Sequence, residues 1–77
     1  MKVDFNYVME VLNNNGVDQD YLEDNDNEIE GGSEEWMGVI SEIIGKSAYN
    51  DSEWDEGDSE KIMEFIRVME TQGIVLF

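Results

Sequence analysis

The chain contains no cysteine, no histidine and no proline, and only four of its 77 residues are Lys or Arg. Each absence closes a class of chemistry. Without Cys there is no disulfide framework, and without Cys or His there is no zinc site of the usual donor set. Imidazole and thiolate catalysis are excluded with them. Four bases are too few to bind a phosphate backbone or an anionic membrane surface by charge. No apolar run approaches the roughly 18 residues of a membrane span. The opening Met-Lys-Val-Asp-Phe lacks the apolar stretch of a secretory signal. The expectation is a cytoplasmic protein that binds neither nucleic acid nor membrane directly and needs no cofactor or metal.

What is present is acid. Twenty Asp and Glu residues give a formal charge of −16. Such a charge favours disorder when hydrophobicity is low. Here Leu, Ile, Val and Phe number 20 of 77, with two Trp, three Tyr and five Met besides, which lies above the roughly 20% apolar content of disordered chains. One small acidic domain, residues 1–77, is therefore expected, with a thin stability margin.

Three helices stand out. Phe5, Val8, Met9 and Leu12 follow the i, i+3, i+4, i+7 spacing of one helix face, with Asp4 as cap and Asn13-Asn14-Asn15-Gly16 as the stop. Ser33 caps a helix over roughly 34–45, with Glu34 and Glu35 in its first turn and Trp36, Met37, Ile40, Ile43 and Ile44 on one face. Asp58 or Ser59 caps a helix over roughly 59–72 that buries Ile62, Phe65, Ile66 and Met69 and ends at Gly73. Gly38 marks a close approach. Between the helices, 17–32 reads as a helical turn from Asp18 to Glu23 followed by an acidic loop with a short strand at Ile29. Residues 46–57 read as a second acidic connection, partly helical. The tail Ile74–Phe77 packs into its own core or serves as a homodimer contact. The expected fold is mainly α, a three- to four-helix domain with a minor strand pair.

Fifteen of the 20 acids fall in two base-free segments, Asp18–Glu35 and Asp51–Glu60. On the third helix Glu60 and Glu64 stand at i, i+4, and Glu56 extends the row if the helix begins early. Like charges at that spacing are destabilising, so folding does not favour them. Solubility is served by a net charge of about 2–8. An A/T-rich gene, suggested by seven Asn and seven Ile, should also favour Lys, of which there are three. These numbers point to selection against positive charge. A salt-loving host is the bland alternative, which the Ile and Asn content fits poorly.

The competing chemistries fit less well. Asp24, Asp26, Glu28, Glu30 and Glu35 fill positions 1, 3, 5, 7 and 12 of a calcium loop, but Ile29 stands where the turn needs Gly. The register from Asp51 has Glu56 at that position and Ile62 at the twelfth. Paired carboxylates suit glycoside hydrolysis, but pairs are unavoidable at this acid content and the chain is too short to enclose a sugar. The glycines form no phosphate loop. Trp36 reads as core. Trp54, amid Asp51, Glu53, Asp55 and Glu56, reads as a local anchor or an exposed hot spot. Met9, Met37, Met63 and Met69 read as core filler.

Sixteen charges correspond to about 27 Å of duplex DNA, close to the expected diameter of a domain this size. In composition, size and charge clustering the chain resembles the small acidic DNA-mimic proteins that phages and mobile elements use against host DNA-binding proteins. The resemblance implies an inhibitor without enzymatic activity, acting in the host cytoplasm if phage-encoded. Its partner is a basic host DNA-binding protein: a restriction or CRISPR effector, a nucleoid protein, a repair enzyme or a polymerase. The expected contacts are Asp24, Asp26, Glu28, Glu30, Glu34, Glu35, Asp51, Glu53, Trp54, Asp55, Glu56, Glu60 and Glu64. The alternatives are an immunity- or antitoxin-type protein that neutralises one basic toxin through aromatic anchors, and a small assembly subunit joined through the tail.

Overall fold

The computed structural model describes residues 3–77. Among them are four α-helices, α1 (Phe5–Asn14), α2 (Gln19–Asp24), α3 (Glu34–Ile44) and α4 (Glu56–Thr71), a 3-10 turn at Asp51–Glu53, and two short strands, β1 (Glu28–Ile29) and β2 (Val75–Leu76). The mainly helical domain with a minor strand pair read from the sequence is the fold observed. No helix among the described residues is long and apolar enough to cross a membrane.

Helices α1, α3 and α4 pack around Phe65, which is fully buried. Its ring meets Tyr7 edge-on at 6.2 Å and Trp36 at 6.1 Å. Trp36 is core, as its place on the apolar face of α3 implies. Side-chain caps start the helices: Asp4 accepts from the Tyr7 N–H, Asp18 from Tyr21 and Ser33 from Trp36. Gly45 closes α3 at φ 70°, a left-handed conformation that suits glycine. A Cβ on Gly38 would lie 2.5 Å from the Asn15 side chain, so this glycine admits the close approach of α1 and α3.

Four expectations are corrected. The last helix begins at Glu56, not near 59, and its cap is Asp55, not Asp58 or Ser59. Asp55 and Asp58 satisfy each other's backbone N–H groups in a capping box, which adds a turn across Gly57. On α1, Val11 is buried while Phe5 is partly exposed and Met9 half-buried, because the helix is clasped by both α3 and α4 and its buried stripe is displaced. Met63 is exposed, because it lies on the side of α4 opposite Ile62, Phe65 and Met69. Ile66 sits at the margin of that face and is half-buried.

The connections are short and specific. After α2 the chain turns through Asp26 and Asn27, both at positive φ, a region these residue types tolerate. It then forms β1, which pairs parallel with β2 in the register Glu28 to Val75 and Ile29 to Leu76. The tail thus packs on its own domain at Ile74, while Phe77 is 71% exposed.

This topology places the acidic segments. Lys46, just past the end of α3, bonds Asp58 in the first turn of α4. At the other end, β2 returns from α4 to pair with β1, and Gly31, close before α3, donates to the Phe77 carbonyl. Helices α3 and α4 therefore run antiparallel. Asp24–Glu34 lies at one end of the pair and Asp51–Glu56 at the other.

Candidate acidic interaction surface

All the acids except Glu35, half-buried, and Asp58, buried, are exposed. Asp24 ends α2, Asp26 occupies the left-handed turn, Glu28 lies on β1, Glu30 follows it, and Glu34 and Glu35 open α3. These six come together at one end of the domain. Glu35 and Glu30 are both close enough to act on Tyr21. Its hydroxyl titrates above the usual value of 10.0, first because of burial and then because of those two carboxylates. Tyr7 is raised likewise, by burial and then by Glu42 and Glu10.

Asp51 and Glu53 lie on the 3-10 turn, and Asp55 and Glu56 begin α4. Glu56, Glu60 and Glu64 follow on α4, each step about 6 Å along its axis and within 40° of the last around it. All three are exposed. This row extends from the second acidic end toward the first. The extents of the domain are 34 × 24 × 20 Å. Its net charge of −16 over the long axis is about one charge per 2 Å, against one per roughly 1.7 Å for B-DNA.

The bases do little to neutralise this field. Among the described residues both ion pairs belong to Lys46, whose ammonium lies 2.6 Å from Asp58 Oδ2 and 3.5 Å from Asp55 Oδ2. It also donates to the Glu53 carbonyl at 3.3 Å. The Lys46 hydrogen bond and then the Asp55 N–H hold the Asp58 carboxyl below its usual value of 3.8. Asp58 in turn raises Lys46 above 10.5. Asp58 thus holds the fold together, and Asp55 serves both as a cap and as a rim charge.

Trp54 is half-buried against the core and its indole N–H donates to the Ser47 carbonyl at 3.1 Å, so it anchors the 45–55 loop. The exposed aromatic of that loop is Tyr49, at 76%. Sequence reasoning also passed over Glu42, which accepts from the side-chain amides of Asn14 and Asn15 and ties α1 to α3. The Asp-x-x-Asp spacing of a capping box could have revealed Asp58's role; nothing local marks Glu42. The described residues enclose no pocket and gather no group of three or more carboxylates placed to hold a metal ion.

Comparison with known proteins found no matching family model, no matching curated protein and no matching solved structure.

Proposed function

We propose that the chain is a non-enzymatic inhibitor that mimics DNA. It occupies the positively charged nucleic-acid-binding surface of a host protein and excludes nucleic acid from it. The observation that carries this reading is the exposure of nearly all the acids, with Lys46 the one base among the described residues that pairs with any of them. A surface that needed only solubility would intersperse both signs. Here the carboxylates stand in for phosphates at nearly the charge spacing of a duplex. Steering by the long-range field brings the partner in, and local contacts then fix the complex.

The test is affinity capture from host lysate, at low and high salt, with duplex DNA as competitor. The expected result is a nucleic-acid-binding protein that DNA displaces and that high salt releases. A captured partner indifferent to DNA overturns the mimic reading. The exposure of Tyr49 beside the anchored Trp54 favours the immunity-type alternative in that event, and Tyr49→Ala should then weaken binding more than the loss of any pair of acids.

A further inference from the structure

The two-stranded sheet is unfinished. In its parallel register Val75 and Phe77 turn their backbone groups toward β1: the Val75 N–H donates to the Asn27 carbonyl at 2.9 Å and the Phe77 N–H to the Ile29 carbonyl at 3.0 Å. Backbone groups alternate along a strand, so the N–H and C=O of Leu76 point the opposite way. They have no hydrogen-bond partner among the described residues. Val75 and Phe77 on either side of Leu76 are exposed, and unpaired backbone groups are rarely buried, which places this edge at the surface of the described residues.

The side chains beside the edge say what fits it. Ile29 is buried and Leu76 half-buried on the inner face. Alternation puts Glu28 beside Val75 and Glu30 beside Phe77 on the outer face. Val75 is 37% exposed and Phe77 71%. Each apolar residue on the open strand thus has a Glu one strand further in, across the usual strand spacing of about 4.8 Å. A Lys or Arg on an added strand can lay its stem along Val75 or Phe77 and bring its charge toward Glu28 or Glu30, passing the Phe77 ring. A second copy of this chain is a poor occupant, since each carries −16 and its own edge would offer Val75 and Phe77 rather than a base.

We infer that the outer edge of β2 accepts an extended segment with Lys or Arg at alternate positions, contributed by the basic partner, as a third strand of the sheet. This rests on the partner being basic and goes further by naming the backbone contact that docks it.

The test uses the full chain and a blocked octapeptide of alternating Arg and Val. A second peptide of the same sequence carries N-methyl groups on alternate amides, which removes strand pairing and keeps every charge. Amide exchange and chemical shifts are followed by NMR. The expected result is protection of the Leu76 N–H by the first peptide and affinity about tenfold or more weaker for the second. Phe77→Ala, at an exposed position, should weaken the first peptide severalfold and leave the fold intact. Equal binding of the two peptides, or shifts confined to Glu56, Glu60 and Glu64, overturns strand addition and leaves the charge reading standing. Binding of neither peptide overturns strand addition, while DNA-displaceable capture still decides the mimic reading separately. Protection of Leu76 that grows with protein concentration alone assigns the edge to a second copy and overturns the proposal.

Discussion

Residues 18–35 and 51–60 look alike as sequence: both are rich in acid and free of Lys and Arg. In the fold they differ. The first segment commits Asp18 to capping α2 and half-buries Glu35 but keeps its other carboxylates outside, and no Lys or Arg pairs with them among the described residues. The second receives Lys46 from the end of α3 and spends Asp55 and Asp58 on starting α4. The number of acids in a segment therefore does not measure the charge it offers to a partner. What decides is whether a base elsewhere in the chain can reach it, and whether a backbone N–H needs a carboxylate more than solvent does.

Binding gives the largest expected contrast. Replacing Asp24, Asp26, Glu28 and Glu30 by their amides removes four exposed charges from the first end. At up to about 1 kcal/mol for each exposed pair, affinity for a basic partner should fall on the order of 10- to 100-fold at low salt. The melting temperature should rise as self-repulsion is relieved. Glu56→Gln, Glu60→Gln and Glu64→Gln together should have a smaller effect on affinity and also raise stability, since each like-charge i, i+4 pair costs a few tenths of a kcal/mol. Calorimetric titration against the captured partner measures both. Unchanged affinity when all seven are neutralised would sink the charge mechanism.

Stability sharpens the comparison from the other side. Asp58→Ala removes the nearest acceptor of the Lys46 ammonium, leaves the Asp55 N–H without its acceptor and opens the capping box. It should lower the melting temperature more than any other single acid substitution, whereas Asp24→Ala should not lower it. Loss of the cap itself in Asp55→Ala should cost about 1 kcal/mol. Thermal unfolding by circular dichroism decides; equal behaviour of Asp58→Ala and Asp24→Ala would erase the distinction between the segments.

The same clip has a pH signature. Asp58 is depressed on folding, so its contribution is present above 3.8 and is lost as pH falls through the lower folded value. Lys46 is raised, so its contribution is complete below 10.5 and is lost as pH rises through the higher folded value. The stability difference between wild type and Asp58→Ala should therefore be flat between these limits and shrink outside them. Unfolding midpoints of the two proteins across the pH range test this.

The helices were legible where one residue's chemistry decides the outcome. Asp4, Asp18 and Ser33 cap the helices they precede, Gly45 ends α3, and Gly38 marks a crowded contact. The start of α4 was missed because Asp55 and Asp58 cooperate, and a pair of acids in an acidic run gives no contrast to read. Phe5 and Val11 traded places because the buried stripe of α1 depends on two neighbouring helices, which periodicity does not contain. The placement of the site lay furthest from the sequence. That the acidic segments occupy opposite ends follows from the antiparallel α3–α4 pair and from the β1–β2 pairing, both set by contacts between residues distant along the chain.

The smallest effect tests the field of the first segment in the free protein. Tyr21 titrates above 10.0 chiefly because of burial, with Glu35 and then Glu30 adding to it. Tyr7 is raised by its own burial and by Glu42 and Glu10. Glu35→Gln should move the Tyr21 titration down, part of the way toward 10.0, because the larger contribution from burial stays. Tyr7 should not move. The raised Tyr21 stabilises the fold below 10.0 and loses that contribution as pH rises through the folded value, so the substitution should also make alkaline unfolding slightly less dependent on pH. Ring-carbon NMR titration separates the two tyrosines. A shift of Tyr21 that salt abolishes would mean that the carboxylates act on it through solvent, as they would on a distant partner. A shift that survives high salt would mean that Glu35, which is half-buried, acts at short range and that the outward field belongs to Asp24, Asp26, Glu28 and Glu30.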